Sequence, residues 1–91
     1  MNVPVRIFYP ELQRLLNNRI QITVAGSTVG ECLNDLLRRY PEAKSLIFNE
    51  KIQLLVSLFV YINAESGEKA ALSATLKEGD EIILAMLAVG G

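Results

Sequence analysis

The apolar residues of this chain change period along its length, from two to 3.6 and back to two. That order leaves few folds open. Val3, Val5 and Ile7 alternate with Pro4 and Arg6, and Ile20, Ile22 and Val24 alternate with Gln21 and Thr23, the pattern of two half-buried strands. Proline has no N–H for a ladder, so Pro4 predicts a strand start or a sheet edge. Between the two, residues 10–16 read as a short helix with Pro10 in its first turn, ended by Asn17-Asn18. After Gly26, Thr28 and Glu31 stand at capping-box spacing and open a second helix. Val29, Cys32, Leu33, Leu36, Leu37 and Tyr40 follow as one apolar stripe opposite Glu31, Asn34, Asp35, Arg38 and Arg39. Pro41 closes that helix, because the residue before a proline is pushed out of the helical region, and Arg38-Arg39 reads as its solvated end. Residues 42–48 predict a short helical turn. Residues 58–63 and 82–87 are apolar on both faces, which predicts two strands in the middle of a sheet. Between them, residues 65–68 turn the chain and a weak strand is expected. Leu76 reads as a core anchor ahead of the Glu78-Gly79-Asp80 turn.

Ninety-one residues, 51% apolar and 21% charged, make one domain with a single core. A net charge of −1 argues against a broad phosphate-binding surface, so no nucleic-acid partner is expected. The longest apolar stretch, residues 52–62, contains Gln53 and Ser57 and is too short to cross a bilayer. No signal-peptide pattern opens the chain, so a cytoplasmic protein with no membrane partner is expected. Cys32 is the only cysteine, which rules out an intramolecular disulfide. It falls on the buried stripe of a chain without histidine, and should behave as a small hydrophobe instead of a nucleophile. One cysteine and no histidine leave no convincing metal site, and none is expected. From residue 64 onward there are five acidic and two basic side chains, so a partner engaging that end should carry a basic rim.

The sequence ends on Gly90-Gly91. Glycine supplies roughly 7% of average sequence, so a chance pair at two fixed positions is expected in about 0.5% of chains. Diglycine suits a tail that must thread a narrow channel in another protein, since it has no Cβ and takes either sign of φ. Five residues from Leu87 reach roughly 16 Å when extended.

Strand, short helix, strand, long helix, strand, weak strand and final strand, running out to Gly-Gly, resembles the β-grasp (ubiquitin-like) fold of the ubiquitin-like sulfur carriers. The resemblance is to the small subunit of molybdopterin synthase and its relatives in thiamin and cysteine biosynthesis. It covers essentially the whole chain: Ser27-Thr28-Val29, Arg39-Tyr40-Pro41-Glu42, Val60-Tyr61-Ile62-Asn63, and Leu76 through Ile82 before the last strand. Two features depart from the molybdopterin branch. Met86-Leu87-Ala88-Val89 stands where a proline usually precedes the tail, and Ala64 replaces a glycine common after the third-strand asparagine. The expected fold is α+β, a mixed four- to five-stranded sheet with one long crossing helix and short helical inserts. A β-grasp domain would span residues 1–86 and a flexible tail 87–91.

The resemblance implies that Gly91, preceded by Gly90, is the working group. A ubiquitin-activating-like adenylyltransferase would adenylate its carboxylate with ATP, and a persulfide from a sulfurtransferase would convert it to a thiocarboxylate. The sulfur would then pass to an acceptor enzyme such as the molybdopterin synthase large subunit. No cofactor would be bound and the chain would not itself be an enzyme. Carriers for cysteine, homocysteine or thiamin biosynthesis, a protein modifier and a plain interaction module share these features. Strand parity adds a docking surface. If Ile82 and Leu84 face the helix, then Ile83, Ala85 and Leu87 face away and, with Phe59 and Tyr61, form a partner-binding patch continuing to Val89. The alternative is that the chain's own loops cover that face.

Overall fold

A computed structural model describes residues 1–65 and 67–87. Strand β1 (Asn2–Phe8) leads into helix α1 (Pro10–Leu15) and returns as β2 (Gln21–Ala25). Asn17 and Asn18 make the reversal with φ of 62° each, a left-handed conformation that asparagine tolerates better than most residues. Helix α2 (Val29–Arg39) follows, then a 3₁₀ turn (Pro41–Ala43), α3 (Lys44–Ile47), β3 (Leu58–Ile62) and β4 (Ile82–Met86). The four strands form one mixed sheet in the order β2-β1-β4-β3. β1 is antiparallel to β2 and parallel to β4, and β4 is antiparallel to β3.

Register sorts the side chains onto two faces. Val5 sits opposite Ile22 on one side and Ile82 on the other, while Ile7 and Val60 flank Leu84. These residues, with Val3 and Val24, are buried in the core shared with Val29, Cys32, Leu33 and Leu36 of α2. The helix start is secured as its spacing predicts: Thr28 Oγ1 accepts from the Glu31 backbone N–H at 3.1 Å. The Glu31 carboxylate reaches back one residue further than a standard box, accepting from the N–H and the hydroxyl of Ser27, both at 2.9 Å.

Four readings of the sequence change. Pro4 lies inside β1, an interior strand, instead of at an edge. The Ile7 N–H donates to Ile20 O at 2.8 Å, so odd-numbered residues of β1 bond to β2 and the Pro4 nitrogen turns toward β4, whose pairing begins only at Val5. β3 is an edge strand despite being apolar on both faces, because its outward side chains belong to an exposed apolar row and not to a second core layer. Among the described residues no fifth strand forms. The segment before Leu76 contributes single links, with Ala70 N–H donating to Val60 O at 2.7 Å and Thr75 bridging Thr28, which hold it against β3 and the start of α2. Ile20, read as half-buried, is 69% exposed, since it lies before the first residue of β2. Leu76 is buried as expected.

Arg39 is more than a solvated helix end. Together with Asp35 it closes the outer edge of β2: the Asp35 carboxylate accepts from Ala25 N–H at 2.9 Å, and Arg39 donates to Thr23 O while lying 3.6 Å from Asp35. At the other end of the sheet, Asn63 organises the turn that delivers β4. At φ 67° its N–H donates to Glu81 O, its Oδ1 accepts from Glu81 N–H at 3.0 Å, and its amide donates to Asp80 at 2.9 Å. Asp80 also accepts from Lys77 N–H at 2.8 Å, and Gly79 takes the φ of +91° that the turn requires.

Two outcomes follow from this packing. Gly26 lies so near α2 that a Cβ there would stand 2.7 Å from the Cys32 backbone nitrogen and 2.9 Å from its sulfur. Gly26→Ala is expected to lower the unfolding free energy by about 1–3 kcal/mol with an unchanged m-value in urea; an unaffected midpoint would show that the helix shifts freely. The second concerns acid. Asp80, held by the Lys77 N–H and the Asn63 amide, and Asp35, held by the Ala25 N–H and Arg38, both have pKa values lowered from the ordinary aspartate value. A lowered folded pKa gives a contribution that is present above the unfolded pKa and lost as pH falls through the folded one. Stability should decline on acidification through the carboxylate range, and Asp80→Asn should flatten part of that decline in pH-dependent urea unfolding.

Candidate functional site

The face of the sheet opposite the helices carries an apolar row built from three strands. Each of its residues follows from strand parity: Arg6 and Phe8 alternate with the buried Val5 and Ile7, Ile83 and Ala85 with Ile82 and Leu84, and Phe59 and Tyr61 with Leu58 and Val60. Register brings them together. Ala85 lies between Phe8 and Phe59, and Ile83 between Arg6 and Tyr61. Leu87 comes next along the chain, its N–H donating to Ser57 O at 3.0 Å, so the ladder continues one step beyond β4.

The row is open to solvent to different degrees. Phe8 and Leu87 are each 52% exposed, Ala85, Phe59 and Tyr61 are half-buried, and Ile83 is nearly covered by its neighbours. The Phe59 and Tyr61 rings lie 6.3 Å apart, tilted by 34°, within the range of favourable aromatic pairs. Two cations stack on the row: Arg6 has its guanidinium carbon 5.4 Å from the centroid of Phe8, and Lys69 places its ammonium 4.1 Å from that of Phe59. Arg6 also lies 3.4 Å from the Glu81 carboxylate. A hollow of about 340 Å³ opens beside Tyr61 and Ile83, floored by Asn63, Ala64 and Gly67. A larger one of about 530 Å³, lined by residues such as Pro41, Phe48 and Ile52, shares no residue with the row.

The structure therefore brings Phe59, Tyr61, Ile83, Ala85 and Leu87 onto one surface. Val89, Gly90 and Gly91 lie outside the described residues. Sequence reading missed Phe8, although its parity opposite Val3, Val5 and Ile7 was sufficient to find it. It also missed the two stacked cations, because Lys69 meets Phe59 only through the folded path of the chain after β3. Cys32 is fully buried against Gly26. Burial first, then the Glu31 and Asp35 carboxylates, push its thiol above the ordinary cysteine value, the opposite of what a nucleophile needs. What the outward face offers is apolar area open to solvent, most of all at Phe8 and Leu87.

No protein-family model and no curated protein matches the sequence. Solved structures match the fold closely. SAMP1 from Haloferax volcanii is 26% identical over the full length of both chains with a TM-score of 0.84. A chain of the BexX/CysO complex from Amycolatopsis orientalis is 27% identical, with 98% of this chain and 99% of that one covered and a TM-score of 0.79. A chain in the complex of subunits 1 and 2 of molybdopterin-converting factor from Helicobacter pylori 26695, 23% identical over the full length of both at a TM-score of 0.60, shares the fold alone. In its α+β β-grasp fold, and along essentially its whole length, the chain is similar to the ubiquitin-like sulfur carriers and modifiers.

Proposed function

We propose that this chain is a sulfur carrier, a β-grasp domain of residues 1–86 followed by a working tail of 87–91. The observation that carries the reading is the outward apolar row, which ends at Leu87 on the strand leading to Gly90-Gly91. In this reading a ubiquitin-activating-like adenylyltransferase docks on Phe59, Tyr61, Ile83, Ala85, Leu87 and Val89. It transfers AMP from ATP to the Gly91 carboxylate with release of pyrophosphate. The terminal sulfur of a persulfide on a sulfurtransferase attacks the acyl carbon, and AMP leaves. A second thiol then cleaves the S–S bond, freeing the Gly91 thiocarboxylate and leaving a disulfide on the donor. The chain contributes position and reach, and its partners contribute the catalysis, so it is a co-substrate and not an enzyme.

The proposed acceptor is the large subunit of a molybdopterin synthase, supported by the sequence resemblance and by the fold shared with a chain of the two-subunit molybdopterin-converting factor. A second reading, a ubiquitin-like protein modifier, is favoured by the greater likeness to SAMP1, a small archaeal modifier protein, at TM-scores of 0.80 and 0.84. The likeness to a chain of the BexX/CysO complex supports a partner protein without choosing among the other acceptors, the cysteine, homocysteine and thiamin pathways.

Intact mass separates these. Incubation with ATP, a persulfide source and the activating enzyme of the source organism should replace one oxygen by sulfur in the wild-type chain and leave a Gly91-deleted chain unchanged. Lysine-linked conjugates of higher mass would favour the modifier, and an unaltered mass with an active enzyme would overturn sulfur loading. Leu87→Glu should weaken binding to the activating enzyme by about tenfold or more without lowering the melting temperature, as for an apolar side chain that an interface desolvates. Equal affinity in the variant would remove the outward row from the docking surface.

A further inference from the structure

Among the described residues, the charged groups stacked on the outward row are cations. We infer that the row is built for a partner surface in which carboxylates flank an apolar centre, with Arg6 and Lys69 as the residues that select it. The inference rests on the sulfur-carrier reading for the identity of the partner and deepens it by fixing the partner's chemistry.

Arg6 lies over Phe8 at one side of the row and Lys69 over Phe59 at the other, with Ala85 between the two rings. Stacking lays each side chain along an aromatic face, so its apolar stem joins the patch while its charged head marks the border. An ammonium has three donors and a guanidinium five, and a ring face occupies none of them as a carboxylate oxygen would. Both heads are therefore held in place with donors to offer. The Arg6 side chain is 42% exposed even with Glu81 beside it, and Lys69 is exposed.

Two acidic residues at this end of the sheet are turned to internal uses. Asp80 is held by the Lys77 N–H and the Asn63 amide, and Glu81 accepts from Arg6. Counting charges from residue 64 onward predicts a basic rim on the partner; the folded chain reverses that expectation at the row itself. A basic partner surface would have to set like charge against two cations already packed on its target. An acidic one gains two ion pairs at the border, where charge acts on encounter rate and on the choice of partner.

The test uses the activating enzyme of the source organism as probe, with binding and association rate measured across a range of ionic strength. The wild-type association rate should fall as salt rises. Arg6→Gln with Lys69→Met keeps most of the apolar stems, and should lower affinity at low salt by about tenfold while flattening the salt dependence. Lys69→Arg should retain the wild-type slope, and Lys69→Glu, which leaves one cation and one anion on the row, should flatten it and weaken binding; melting temperatures serve as the control for folding. A double variant that binds as tightly as wild type with the same slope, or a Lys69→Glu chain that binds more tightly, would overturn the inference. A wild-type chain that binds with salt-sensitive affinity but is never loaded with sulfur overturns the carrier reading alone. Loading at a salt-independent rate overturns this inference alone, and neither binding nor loading overturns both.

Discussion

Strand β4 hydrogen-bonds on both flanks at once, in parallel to β1 and antiparallel to β3, and this double pairing fixes the positions of nearly everything that matters. Ile82 and Leu84 go into the core from the centre of the sheet, where each meets a residue of the neighbouring strand on either side. Ile83 and Ala85 are placed with equal precision on the other face. A slip of one residue would exchange the two sets, burying Ile83 and Ala85 and exposing the core. Asn63 guards against it at the point of entry, since three of its polar groups are committed to Asp80 and Glu81 just before β4 begins.

Much of this was legible from period alone. The strands at residues 2–8 and 21–25, the insert at Pro10, and the capped helix with its stripe have apolar spacing or punctuation that marks their secondary structure, and the final strand is marked by its short unbroken apolar run. Spacing also groups Ile83, Ala85 and Leu87 on one face, but residues 82–87 are apolar throughout, so which face turns outward is decided by the fold. The misreadings arise where a residue's environment depends on distant chain. Pro4 is tolerated in an interior strand only because the pairing of β4 starts one residue further along. Apolar residues on both faces of β3 suggest a central strand, yet one of those faces is a surface. Arg39 reads as a solvated helix end and Lys69 only as one charge of an acidic stretch, and their actual contacts, Thr23 O and the Phe59 ring, are made by segments that pattern cannot bring together.

Electrostatics in this chain serves geometry more than it serves stability. The ion pair of Arg6 with Glu81 is partly exposed, and such pairs contribute little to the folding free energy. Asp35 and Arg39 have a clearer part: between them they occupy an N–H and a carbonyl that point outward from β2. At the opposite edge, the Ala70 N–H occupies the outward carbonyl of Val60. A sheet with an aromatic outward face is at risk of adding strands from its neighbours, and filled edge positions reduce that risk.

The burial of Cys32 has a chemical consequence for a protein that would travel among persulfides, oxidants and activated sulfur. Its sulfur is packed where even the one extra carbon of a Gly26 replacement would collide, and its proton is held more tightly than in free cysteine. Thiol-directed reagents thus find no exposed target in the folded domain, whose single cysteine is fully covered.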